Sequence, residues 1–194
     1  MAVPVVVKMG GSLFDESPAI VRLLLSLDAP VLVVPGGGRF AEAVRDCGAE
    51  GTPGHWMAVA AMEEYGWYLS SFGLPVTDLL SIVDTPAVLL PYRQMRSCDP
   101  FPHRWEITSD TIAAWVAHTL GLDLILLKSV DGIRSGGVFH EWVNSALETE
   151  DVDPCLIPYV LSRGVRTLVI NGRYPERIVA ALAGRPVHGT TIGF

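Results

Sequence analysis

Lysine is almost absent from this chain. Of 194 residues, 14 are basic and 21 acidic, and only two of the basic ones are lysines, Lys8 and Lys128. The net charge of −7 argues against nucleic acid or an anionic membrane surface as a main partner, since both demand clustered cations. A small phosphate ligand stays compatible with it, because local cations and backbone amides decide that affinity. Cysteine is scarce too. Cys47, Cys98 and Cys155 are odd in number, widely spaced and form no CxxC, which points to ordinary thiols in a reduced, cytoplasmic setting. No apolar run approaches the roughly 20 residues of a membrane span. The opening Met-Ala-Val-Pro-Val has no basic n-region of a signal peptide. The nucleotide signatures GxGxxG and GxxxxGK[ST] are also missing, which disfavours a Rossmann dehydrogenase and a Walker-type ATPase.

What is present is a large apolar core. Hydrophobic residues make up 49% of the chain and charged ones 18%, and the length suits a single domain over residues 1–194. The buried-strand pattern Val5-Val6-Val7 runs into Lys8, Gly10, Gly11 and Ser12, and Ser17-Pro18 then opens a helix to about Leu27. Val31 to Val34 repeats the pattern. It ends in Pro35-Gly36-Gly37-Gly38, and Arg39-Phe40 open the next helix. Strand, glycine loop and helix, twice within 45 residues, predict an α/β fold. Such loops bring amides and a helix N-terminus up to an anion. A tight strand-to-helix turn with a merely solvated lysine is the other reading of the first loop. Lys128 also follows a buried-strand pattern, Leu124 to Leu127, and strand C-termini border the ligand crevice of a parallel sheet.

Further along, Gly48 to Gly54 reads as loop and His55 to Ser70 as helix, with His55 and Trp56 in its first turn. His55 is either a capping or packing histidine or a donor to a substrate phosphate. Leu79–Val83 and Ala87–Leu90 read as short strands, and Pro91 begins a helix with Arg93 and Arg96. Thr108 or Ser109 caps a helix whose first turn contains Asp110, a placement the helix dipole alone could explain. Asp123–Leu127 is a buried strand, Ser135-Gly136-Gly137 a turn, and Asp153-Pro154 a helix start. Arg166–Ile170 is a strand, Pro175–Leu182 a helix, and Val187–Ile192 a final edge strand.

The ordered series Lys8-x-Gly10-Gly11-Ser12, Pro35-Gly36-Gly37-Gly38, Ser109-Asp110-x-x-Ala113, Ser129-Val130-Asp131-Gly132-Ile133, Ile170-Asn171-Gly172 and Gly189-Thr190-x-Ile192 resembles the amino acid kinase superfamily. The resemblance implies a three-layer αβα sandwich around a mostly parallel sheet, and transfer of the ATP γ-phosphoryl group to a carboxylate, carbamate or phosphate. His55-Trp56-Met57-Ala58, Trp105 to Asp110 and Asn171 to Arg177 are similar to one branch, the small archaeal kinases of methanofuran biosynthesis. That branch acts on [5-(aminomethyl)furan-3-yl]methyl phosphate. Isopentenyl phosphate and nucleoside monophosphates are the alternative acceptors, and a non-catalytic nucleotide- or oxyanion-binding protein of the same fold is the alternative class.

The resemblance assigns Lys8 and Asp110 to catalysis, and Lys128 is expected to join them. Gly10, Gly11, Ser12, Lys128, Ser129, Asp131 and Gly132 are expected at the nucleotide, with the choice between Ser129 and Asp131 as its direct contact left open, and Gly36, Gly37, Gly38, His55, Glu106 and Thr108 at the acceptor. Asp110 would orient the lysines, and Mg²⁺ would bridge the nucleotide phosphates. No side chains are assigned as metal ligands. Trp56, Trp105, Glu63 and Glu106 could wall an amine-bearing aromatic acceptor, and Arg39, Arg93 and Arg104 are candidate phosphate clamps. Family members usually form homodimers, and the His55–Ser70 helix is the candidate contact. One departure stands out. Many members carry a second catalytic lysine in a Gly-Gly-Met-x-x-Lys segment, where this chain has Asp151-Val152-Asp153-Pro154-Cys155. Lys128, as the one other lysine, is expected to take its place.

Overall fold

Apolar β-branched residues in unbroken runs pack on both faces of a sheet, and that is where they lie in the computed structural model, which describes residues 3–193. Strand β1 (Val5–Met9) is buried throughout and pairs in parallel with β2 (Val31–Pro35) and β5 (Asp123–Lys128). β5 continues in parallel to β9 (Thr167–Asn171), and β2 to β4 (Ala87–Leu89) and then β3 (Val76–Thr77). With β8 (Trp142–Val143) and β10 (Thr190–Ile192), the sheet has eight strands in the order β3-β4-β2-β1-β5-β9-β10-β8. β6 (Ile133–Ser135) and β7 (Val138–His140) form a separate hairpin.

Helices cover both faces, giving the three-layer αβα arrangement. One apolar cluster joins Val5, Val7 and Met9 of β1 to α1 (Ser17–Leu27) and to Ile178 of α7 (Pro175–Leu182). The other joins Val6, Leu124 and Leu126 to α5 (Ser109–Leu120), α6 (Leu156–Arg163) and Met95 of α4 (Tyr92–Cys98). The long α3 (Gly51–Ser70) reaches both clusters, with Val59 and Met62 in one and Tyr65 and Leu69 in the other. It is joined to the sheet by α2 (Gly38–Asp46).

Four sequence expectations need correction. Helix α3 starts at Gly51, not His55, because Pro53 lies in its first turn, where no amide is needed for the helix ladder. His55 therefore sits beyond the first turn. Leu79–Val83 is not a strand. Leu79 and Ile82 are exposed, and the pairing falls on Val76–Thr77 instead. The last strand is internal: β10 lies between β9, to which it is antiparallel, and β8, which forms the edge. Lys8 does not come just after the buried strand but is its penultimate residue, and it is buried.

Candidate active site

Side chains alternate across a strand, so Lys8 shares a face with Val6, and Lys128 shares one with Leu124 and Leu126. That face is covered by α5. In the sheet register Lys8 stands opposite Leu126, so Lys128 lies one two-residue step further toward the strand ends. The first turn of α5 comes down between them. The Asp110 carboxylate approaches Lys8 Nζ at 2.6 Å through Oδ1 and accepts a hydrogen bond from Lys128 Nζ at 2.8 Å through Oδ2. The Lys8 contact is a charge contact without good hydrogen-bond direction, and Oδ1 has no hydrogen-bond donor among the described residues. The Lys8 and Asp110 side chains are about 5% and 3% exposed, whereas Lys128 keeps 18%. Burial opposes ionisation of Asp110, but the charges of Lys8 and Lys128 outweigh it and hold the carboxyl well below the usual carboxylate range. Burial also pushes the Lys8 ammonium below the ordinary lysine range, against the pull of Asp110.

The glycine loops lie beside this bridge. The Gly10 amide is spent on Leu127 O at 3.0 Å and the Gly36 amide on Met9 O at 2.8 Å. Those two glycines lock the loops to the sheet. A Cβ on Gly11 would stand 2.3 Å from Gly38 Cα, so the two loops touch backbone to backbone. The amides of Gly11, Ser12, Gly37 and Gly38 donate to no acceptor among the described residues. They form a cradle of free N–H groups at the starts of α2 and of a single 3-10 turn (Gly11–Leu13), an arrangement suited to an anion.

A cleft of about 230 Å³ opens from the cradle. Gly11, Ser12, Gly37, Gly38, His55, Thr108 and Ser109 line it, together with the apolar Val59, Met62, Ile107 and Ile112. Glu42, Arg45, Arg104 and Trp105 also line it. Arg45 lies 5.0 Å above the Trp105 ring, and Trp105 Nε1 donates to Ala49 O at 3.2 Å. Neither Glu42 nor Arg45 stands out in the sequence, since both sit on an ordinary exposed helix face. His55 is buried, and its Nε2 has no partner among the described residues. Its ring stacks on His103 at 4.4 Å, and burial together with His103 pushes its pKa down, so it is neutral near pH 7. His103 is itself held between Thr52 and Asp99.

Other expected site residues are placed elsewhere. Glu106 is exposed and outside the cleft lining. Glu63 accepts from the Tyr92 amide, and Trp56 packs under Arg96. Arg39 pairs with Asp15 and Arg93 with Asp78, both on the surface, so Arg104 is the one expected clamp that lines the cleft. On the far side of Lys128, Ser129 O accepts from Asn171 Nδ2 at 3.4 Å, and Asp131 accepts from Asn171 and, at 2.6 Å, from Arg177. Those bonds, led by the one from Arg177, lower the Asp131 pKa. Gly132 packs too closely against Thr190 and Phe139 to carry a Cβ.

The sequence profile of the amino acid kinase family matches residues 4–137. Across 93% of both chains, the sequence is 26% identical to the [5-(aminomethyl)furan-3-yl]methyl phosphate kinase of Methanocaldococcus jannaschii. Among solved structures, the fold superposes on uridylate kinase from Archaeoglobus fulgidus with a TM-score of 0.69 at 22% identity, covering 98% of this chain and 100% of that one. An isopentenyl phosphate kinase gives 0.67 at 16% identity, with the same coverage. UMP kinase from Ureaplasma parvum gives 0.70 at 18% identity, covering 98% and 99%.

Proposed function

The chain belongs to the amino acid kinase family, and on that premise we propose that it transfers the γ-phosphoryl group of ATP to a small phosphate monoester, [5-(aminomethyl)furan-3-yl]methyl phosphate, giving the diphosphate. The observation that carries this reading is the buried Lys8–Asp110–Lys128 bridge set beside a cradle of unspent amides. An acceptor phosphate oxygen attacks the γ-phosphorus, the bond to the β–γ bridging oxygen breaks, and ADP leaves. Two ammonium groups neutralise charge on the phosphoryl group in transit, and the amides of Gly11, Ser12, Gly37 and Gly38 hold the phosphates on either side. No general base is needed. A phosphate monoester has its second pKa near about 6 and is mostly ionised at neutral pH. Asp110 could not serve as one, since its depressed pKa and two lysine partners leave it no proton affinity to spare.

The acceptor's body is assigned to the cleft, where Trp105 offers an aromatic face, Glu42 a carboxylate for an amine, and neutral His55 a hydrogen-bonding nitrogen. ATP is assigned to the side of Ser12, Lys128 and Ser129. Magnesium supplies charge neutralisation on the nucleotide phosphates when bound. The residues here do not form a magnesium site of their own. No cluster of three metal-ligating side chains occurs among the described residues, and lysines take up the Asp110 carboxylate. The reading extends to a cytoplasmic homodimer paired through α3, which exposes Met57 and Trp67. Light scattering at micromolar concentration tests that pairing, and a monomer would overturn it.

The activity test is phosphoryl transfer from Mg·ATP to a panel of the furan monophosphate, isopentenyl phosphate, UMP and acetylglutamate, read by product mass. A diphosphate formed from the furan alone is the expected result. Turnover on another acceptor alone would replace the substrate. Tight ATP binding with no acceptor-dependent ADP would overturn the kinase reading in favour of a binding protein.

A further inference from the structure

The segment that departs from the family pattern, residues 151–155, ends up at the active site. Asp153 is buried at the junction of two helix N-termini, those of α5 and α6. Its Oδ2 accepts from Thr108 N at 3.2 Å, Thr108 Oγ1 at 2.8 Å and Thr111 N at 2.9 Å. Its Oδ1 accepts from Thr111 Oγ1 at 2.5 Å, Cys155 N at 3.1 Å and Leu156 N at 2.9 Å. Its own amide reaches Asp110 Oδ2 at 3.4 Å. One carboxylate thus caps the starts of two helices and holds the residues on both sides of Asp110.

We infer that Asp153 is the positioning residue of the phosphoryl-transfer centre: it fixes the first turn of α5 so that the Asp110 carboxylate meets both lysines, and it adds a second anion to the buried cluster. The inference rests on the kinase reading above. Asp153 does not itself pair with either lysine. It acts through Asp110 and through its charge. The charged groups that face Lys8 are Asp110 from α5, Lys128 from β5 and Asp153 from the turn before α6. Two cations and two anions thus face one another here, and the anions raise the Lys8 pKa against the burial that lowers it. An anion at two helix N-termini is favoured by both dipoles and by its charge-assisted hydrogen bonds.

The test is the pH–rate profile, kcat and KM of Asp153→Asn beside wild type and Asp153→Glu. Mg·ATP and the furan monophosphate, or whichever panel acceptor turns over, serve as substrates. Asp153→Asn is expected to lower kcat about tenfold or more while KM for ATP moves less than about threefold. Its alkaline limb is expected to move to lower pH, because Lys8 loses a facing anion. Asp153→Glu is expected to recover the wild-type limb. If Asp153→Asn does not fold, Thr111→Val removes one donor and keeps the charge, and it is expected to lower kcat without moving the limb. Wild-type kcat and an unmoved limb in folded Asp153→Asn, or wild-type kcat in Thr111→Val, would overturn the inference while leaving the kinase reading intact. A wild-type protein inactive on every acceptor would remove both.

Discussion

The Lys8–Asp110–Lys128 bridge and the Arg93–Asp78 pair are equally close ion pairs, with 2.6 Å between nearest atoms in each. They differ in their surroundings. Arg93 and Asp78 keep 69% and 46% of their side-chain exposure, whereas Lys8 and Asp110 keep 5% and 3%. Water and salt screen the first pair, so it adds little to stability. The second took three charges out of water, at a desolvation cost that apolar residues of the same volume would have avoided. In the reaction proposed above that charge would act on the phosphoryl group, and the cluster lies beside the unspent amides of the glycine loops. Short distance alone does not distinguish the two pairs; burial and neighbourhood do.

Asp110→Ala should break this contrast most severely, since it strands two ammonium groups in the core. The expected loss is about 3–5 kcal/mol of stability together with loss of turnover, read by chemical denaturation and acceptor-dependent ADP release. The pH dependence of wild-type unfolding sharpens the same point. A carboxyl whose folded pKa lies below its unfolded value contributes stability that is present above about pH 4 and lost as the pH falls further. Asp110→Asn should flatten that acid limb. Gly11→Ala ranks next. Its Cβ would meet the Gly38 backbone and force the two loops apart, at about 1–3 kcal/mol and with a raised acceptor KM. Arg93→Ala should change stability by no more than about 0.5 kcal/mol and leave turnover unchanged. A large effect there would undo the contrast.

The central strands and the two lysines could be read from the sequence because their signals are local: β-branched runs, glycines at the strand ends and the scarcity of lysine itself. Asp110 was visible as a first-turn acid, yet its link to both lysines depends on α5 lying across β1 and β5. Asp153 looked like an ordinary helix start. Its donors at Thr108 and Thr111 lie more than 40 residues upstream, a distance that no spacing rule spans. In the sequence the glycine loops read as ligand-facing. Half of that signal belongs to the fold, since Gly10 and Gly36 bond to the sheet and Gly11 makes room for Gly38. β3 and β8 have two residues each, too few for a period to register, and the apolar Leu79–Val83 misled because exposed apolar residues look like buried ones in a sequence.

The most direct test of the two-lysine centre is turnover of Lys128→Met, with folding checked by circular dichroism and ATP affinity measured separately. The expected result is a folded protein whose kcat falls at least about tenfold, a barrier increase of roughly 1.4 kcal/mol. A folded Lys128→Met enzyme with wild-type kcat would show that Lys8 works alone and that the bridge through Asp110 is not the catalytic centre.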